Sequence, residues 1–171
     1  GSINSKMVKN LGCKYVIIGH SENRNEGETN FLINTKIKKS LKNNLKILFC
    51  IGENLKDKKK KKTKKILTKQ IVLGLKKIRK NKNIFFAYEP VWSIGTGIIP
   101  KTNELKDNIS FIRRLLLKKF KYVNPIVLYG GSVNQKNIQE LKKINQIDGF
   151  LIGGSSQKAY KFIDIIKKTF I

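Results

Sequence analysis

Five short apolar runs, each followed by a longer stretch with helical periodicity, constrain this chain more than any other feature. The runs occupy 15–19, 47–51, 84–88, 126–129 and 149–152 and are rich in Ile, Val and Phe. Continuous apolar runs of that length suit strands buried on both faces. Between and after them, apolar residues recur every three or four positions, the spacing of one helix face. The series are Ile33, Ile37, Leu41; Leu67, Ile71, Leu75, Ile78; Leu105, Ile109, Ile112, Leu116; Ile138, Leu141, Ile144; and Ile163, Ile166, Phe170. Strand–helix alternation implies parallel pairing through right-handed crossovers. The expected class is α/β, either an open doubly wound sheet or part of a (β/α)8 barrel.

The 171 residues suit one domain, 1–171, with no Pro/Ser linker or shift of composition to mark a second. No apolar stretch approaches the roughly 20 residues that span a bilayer. No apolar leader region stands at the start, so no signal peptide is expected. Cys13 and Cys50 lie in or near apolar runs. Two buried thiols in a reducing cytoplasm are the expectation. With one histidine in the chain, no Cys/His spacing suggests a metal site.

A net charge of +26 raises the question of a polyanionic partner. Only four of the 37 basic residues are arginine. Bidentate phosphate contacts and base readout favour arginine over lysine. Lys, Ile and Asn, all abundant here, share A/T-rich codons, so mutational drift accounts for the balance without a nucleic-acid ligand. The run 58–62, five lysines, opens the second amphipathic segment. It reads as a solvated helix face.

In α/β folds ligands bind beyond the C-terminal ends of the strands. His20-Ser21-Glu22 follows the first run, Gly52-Glu53 the second and Glu89-Pro90 the third. Gly130-Gly131-Ser132 and Gly153-Gly154-Ser155 follow the last two. Such glycines, placed between a strand and a helix, let backbone N–H groups approach a phosphate, and a helix N-terminus adds positive potential. Glu89 and His20 at one mouth make an acid/base pair. A carboxylate can take a carbon-bound proton next to a carbonyl, and a neutral imidazole can polarise that carbonyl. The segment 90–97 reads as a lid, with Pro90 stiffening its start and Gly95-Thr96-Gly97 supplying a hinge.

Ala87-Tyr88-Glu89-Pro90-Val91-Trp92-Ser93-Ile94-Gly95-Thr96-Gly97 resembles the catalytic signature of triosephosphate isomerases along its whole length. The stretch from Tyr15 to Glu22 resembles that family's catalytic-histidine strand, and Phe49 to Glu53 the end of its fifth strand. Tyr129 to Val133 and Asp148 to Gly154 resemble its phosphate-binding strand ends. The resemblance implies a partial (β/α)8 barrel made of strands four to eight with their helices. It implies interconversion of dihydroxyacetone phosphate and D-glyceraldehyde 3-phosphate, without cofactor, by a cytoplasmic homodimer. Glu89 would be the base and His20 the electrophile, with Ser21, Glu22 and Tyr129 in support. Gly95, Ser132, Gly153 and Gly154 would hold the phosphate, and Tyr129 and Ser132 would latch the lid. Tuned acid/base groups and lid closure in this enzyme are among the best-known cases of their kind.

The resemblance begins at Gly1, near the loop after the family's third strand, so three βα units and a first-strand asparagine and lysine have no counterpart. Asn23 stands where the family has arginine, and Ile98 and Ile99 replace more polar hinge residues. Weak or no turnover by these 171 residues alone is the expectation. A catalytically inactive, strongly basic polyanion-binding or interaction protein derived from the same fold is the second reading. A different phosphate-binding barrel enzyme is the third, and the lid segment argues against it.

Overall fold

The computed structural model describes residues 3–170. Gly1, where the resemblance begins, lies outside them. Five parallel strands form one sheet, ordered β1 (Tyr15–Ile18), β2 (Lys46–Ile51), β3 (Ile84–Tyr88), β4 (Val127–Tyr129), β5 (Gly149–Phe150). Each strand lies where an apolar run places it. A doubly wound sheet reverses its strand order at a switch point. This sheet never reverses, so it is an arc of barrel topology. It is not closed: β1 and β5 are its edges.

Register divides the strand residues between two faces. Phe49 pairs with Phe86, and Phe86 with Val127. These rings and side chains point at the helices, where Phe49 packs against Gly74 of α5 (Thr63–Gly74). On this side Ile47, Phe49, Phe86, Tyr88, Val127 and Tyr129 are fully buried. On the other, concave side Ile17 pairs with Leu48 and Leu48 with Phe85. There Tyr15 is 47% exposed and Ile17 52%, while Leu48, Phe85 and Leu128 are half-buried. The expectation of strands buried on both faces therefore holds for one face only, because the open sheet does not wrap around the other.

The helices follow their apolar stripes. Thr29 caps α3 (Asn30–Lys42) by accepting from the Leu32 N–H at 3.2 Å, and Ile33 and Ile37 are sealed beneath it. Asn34, also buried, donates to the Gly74 and Lys76 carbonyls and ties α3 to the end of α5. In α6 (Thr102–Phe120) the whole stripe Leu105, Ile109, Ile112, Leu116 is buried. Two stripes outrun their helices. Ile78 lies past the turn that ends α5, and Ile144 past the one that ends the four-residue α7 (Ile138–Leu141). Three short helices carry no long stripe: α1 (Ser5–Asn10), α2 (Ser21–Asn25) and α4 (Leu55–Lys59).

Three expectations are corrected here. In α8 (Ala159–Phe170) the buried residue is Ile165, whereas Ile163, Ile166 and Phe170 are exposed. Ile166 and Phe170 line a concavity at the β5 edge, where no further described strand covers them. Cys13 is exposed, and only Cys50 is buried. The lysine run is not one helix face: it spans the end of α4 and the turn before α5, with Lys61 at φ 55. No described helix is long and apolar enough to cross a membrane.

Candidate active site

Glu89 emerges from the C-terminal end of β3, its N–H donating to the Ile51 carbonyl of β2 at 2.8 Å. His20 follows β1 and heads α2. Parallel strands β1 and β3, with β2 between them, thus bring residues nearly seventy positions apart to one rim. His20 Nε2 lies 3.7 Å from Glu89 Oε1, and His20 Nδ1 lies 3.6 Å from Glu22 Oε2. Glu89 is almost wholly buried and Glu22 is open to solvent. The carboxyl of Glu89 packs on Gly130 so closely that a Cβ there would sit 2.7 Å from Glu89 Cγ. Only glycine leaves that side chain its place.

Burial pushes the Glu89 carboxyl above the ordinary carboxylate range, and His20, the Cys50 thiol and Arg24 pull it back. Burial disfavours the charged form of an acid, and donors or positive charge favour it. The result is a carboxylate held basic without being surrendered to a salt bridge. Arg24 serves both neighbours. Its guanidinium donates to the Gly19 carbonyl at 2.7 Å, to the Cys50 carbonyl at 3.0 Å and to Asn30 Oδ1 at 2.9 Å. It braces the His20 turn against the top of β2.

Over this pair runs the segment 90–97, which begins with a 3-10 turn at Val91–Ser93. Gly95 and Gly97 have φ of 71° and 77°, a left-handed backbone that favours glycine. The Gly97 N–H donates to Ser132 Oγ at 3.1 Å, fastening the lid to the turn after β4. Ser93, fully buried, is the centre of a second fastening. Its hydroxyl donates to the Ile98 carbonyl at 2.6 Å. That commits its only proton, so Tyr129 OH, 3.2 Å away, is the donor in the contact between them. The Ser132 N–H also donates to Ser93 Oγ at 3.3 Å.

Behind the lid, Glu53 is buried and accepts from Trp92 Nε1 at 2.9 Å and from Tyr88 OH at 3.2 Å. Asn108 of α6 donates to the Tyr88 oxygen at 2.9 Å. Burial raises the Glu53 carboxyl above its ordinary range, and the Trp92 and Tyr88 bonds lower it in part.

A cavity of about 400 Å³ lies under the lid. His20, Glu89, Gly95, Ser132, Gly153 and Gly154 all line it. Tyr129 and Glu22 stand just outside it, against Ser93 and His20. Ser21 is apart from the pair and lines a separate hollow with Arg24 and Gln70. A larger concavity of about 790 Å³ at the β5 edge is walled mainly by apolar side chains, Phe150, Phe162, Ile166 and Phe170 among them, and neither His20 nor Glu89 reaches it. Helix dipoles are not part of the two glycine cradles. After Gly130 and Gly131 the next helix starts only at Ile138, and Gly154 opens a 3-10 turn rather than an α-helix. Among the described residues no cluster of His, Cys, Asp and Glu could hold a metal ion.

Arg24 and Asn108 do not announce themselves in sequence as parts of this site, and Glu53 and Ser93 fall within stretches read as a strand end and a lid, without roles of their own. Arg24 and Asn108 lie on helices, where a polar residue normally faces water. Glu53 does follow a strand end, the one local signal that could have marked it.

Comparison with known proteins agrees with this arrangement. A family model described as Triosephosphate isomerase matches residues 1–169. The triosephosphate isomerase of Ruthia magnifica subsp. Calyptogena magnifica is 44% identical over 172 residues, covering 98% of this chain and 69% of that protein. Those of Thermodesulfovibrio yellowstonii and Dictyoglomus thermophilum are 41% and 42% identical, each over 98% of this chain and 69% and 70% of their own lengths.

Proposed function

The chain belongs to the triosephosphate isomerase family, an isomerase family, and we propose that it moves a proton between adjacent carbons of a phosphorylated triose, with Glu89 as base. Glu89 removes the proton from the carbon beside the carbonyl. The C–H electron pair becomes the double bond of an enediolate, and the negative charge gathers on the former carbonyl oxygen. His20 gives its Nε2 proton to that oxygen and takes the proton of the adjacent hydroxyl in return, so that the hydroxyl oxygen becomes the new carbonyl. Glu89 then returns its proton to the second carbon. Dihydroxyacetone phosphate and D-glyceraldehyde 3-phosphate are thereby exchanged, with no redox cofactor because the carbon skeleton keeps its electrons.

Supporting roles follow from position. The lid excludes water from the enediolate. Backbone groups of Gly95, Ser132, Gly153 and Gly154 hold the phosphate, and the excess of lysine draws an anionic substrate. Glu22 is a supporting carboxylate beside His20, Ser21 is by resemblance a neighbour of the resting base, and Tyr129 and Ser132 keep the lid down. One domain, a homodimeric assembly and a cytoplasmic site of action complete the reading.

The observation that carries it is the 3.7 Å approach of His20 Nε2 to Glu89 Oε1 in a lidded cavity. Because the sheet is open and one wall of the mouth is unfilled, turnover by these 171 residues is slow. A sensitive test is deuterium uptake by dihydroxyacetone phosphate in heavy water, followed by NMR. The chain is expected to exchange the label, and Glu89→Gln to reduce the rate at least about 100-fold. Equal rates for the two would refute the assignment. Turnover as fast as the full-length relatives would refute the weak-activity part alone.

A further inference from the structure

Lys58 departs from the rest of its lysine run. Lys59, Lys60, Lys61 and Lys62 are exposed, whereas Lys58 is half-buried, at the back of the lid. Its Nζ sits 3.5 Å from the centroid of the Trp92 ring. The same ammonium meets Glu104 Oε1 at 2.9 Å. Glu104 lies in the first turn of α6, the helix into which the lid runs.

Trp92 is thus held in two directions. Its indole N–H edge goes to the buried Glu53 at 2.9 Å, and one ring face is covered by Lys58. An indole has a positive edge and a negative face, so a carboxylate at the edge and an ammonium over the face match its quadrupole. A cation in contact with tryptophan is the strongest form of this attraction. The ion pair with Glu104 keeps the ammonium from turning to solvent, so it is not a spare charge for phosphate.

We propose that Lys58 is a positioning residue of the lid, pinning the Trp92 ring over Glu53 and coupling it through Glu104 to the helix that follows. The pin holds whether or not the chain turns substrate over. Only its effect on rate rests on the isomerase reading.

Trp92 is the chain's only tryptophan, so its fluorescence reports on the pin alone. Lys58→Met keeps the length of the side chain and removes the charge. It is expected to raise the acrylamide quenching constant of Trp92 about twofold and to shift emission to the red, with far-UV circular dichroism and Tm unchanged. Lys58→Arg restores the parent's quenching. Quenching unchanged in Lys58→Met overturns the proposal, as does a gain that comes with loss of helical signal. Glu104→Gln gives a smaller gain if Lys58 is anchored as described, and none if it is not. In the deuterium assay Lys58→Met slows exchange several-fold if the isomerase reading holds. A quenching gain with no Glu89-dependent exchange in the parent would count against that reading and leave the pin standing.

Discussion

On the helix-facing side of the sheet, Ile47, Phe49, Phe86, Val127 and Tyr129 are sealed from water. On the concave side, one residue further along the same strands, Ile17 is half exposed and Leu48, Phe85 and Leu128 are only partly covered. From β1 to β4 the covered side is closed within these residues, where strands, helices and their apolar stripes make one layer; only the α8 stripe at the β5 edge stays open. The concave side has no second layer among the described residues. Yet Glu89 and His20 stand at the rim of that less finished side. The lesson is that positioning and cover have different sources. The strand ends are fixed by the helix-facing layer, so the acid/base pair can be set before the concavity is filled.

Adjacent residues of β2 test this most directly. Phe49→Ala, in the sealed layer, is expected to cost about 3–5 kcal/mol and to approach global unfolding. Leu48→Ala, on the concave side, is expected to cost about 1 kcal/mol, since a half-exposed side chain has less burial to lose. Urea denaturation followed by circular dichroism measures both. Equal costs would mean that the concave face is packed after all, by self-association for example.

The alternation that separates these faces was legible in the sequence only as continuous apolar runs. Val16, Ile17 and Ile18 look alike as letters, and only the openness of the sheet exposes the middle one. All five strands were legible because β-branched and aromatic runs have few other homes. Helix ends were less so: Ile78 and Ile144 continue their stripes past the last helical turn, where burial no longer needs a helix. The two acid/base residues were legible from strand ends and from the signature around Glu89. The braces were not. Arg24, Asn108 and Lys58 act across 26, 20 and 46 positions, on Cys50, Tyr88 and Glu104 respectively, and no local pattern encodes such partnerships.

A smaller effect concerns the acid at the rim. Because burial holds the folded Glu89 carboxyl above its unfolded value, its contribution to stability is fully present below the unfolded value near pH 4.5 and is lost as pH rises through the folded one. Glu89→Gln, permanently neutral, is therefore expected to raise Tm at pH 8 and to leave it almost unchanged at pH 4. Thermal melts at the two pH values measure the difference. A Tm gain of equal size at both would place the cause in packing rather than ionisation. Proton abstraction needs the charged form, so the parent's exchange rate should fall on acidification at a pH above that of an ordinary carboxylate.

The finest distinction lies within the lid. Ser93 belongs to the sealed side by burial but faces the concavity's roof by contact. Its hydroxyl joins the start of the lid to Ile98 near its end, and both to Tyr129 and Ser132. Ser93→Ala removes one donor and one acceptor and leaves Tyr129 OH, the Ser132 N–H and the Ile98 carbonyl without that partner. About 1 kcal/mol of stability is the expected loss, since each freed group can turn to water once the lid lifts. Phe49→Ala should cost several times more, yet the two differ in what they disturb. Loss of Phe49 loosens the layer that sets Glu89 and His20, so it should reduce Glu89-dependent exchange and thermal stability together. Loss of Ser93 should leave the melt nearly intact while hydrogen exchange at Ile94 to Ile99 speeds up, because only the fastening of the roof is gone. Unchanged amide exchange in those residues would show that Gly97 and Ser132 alone hold the lid.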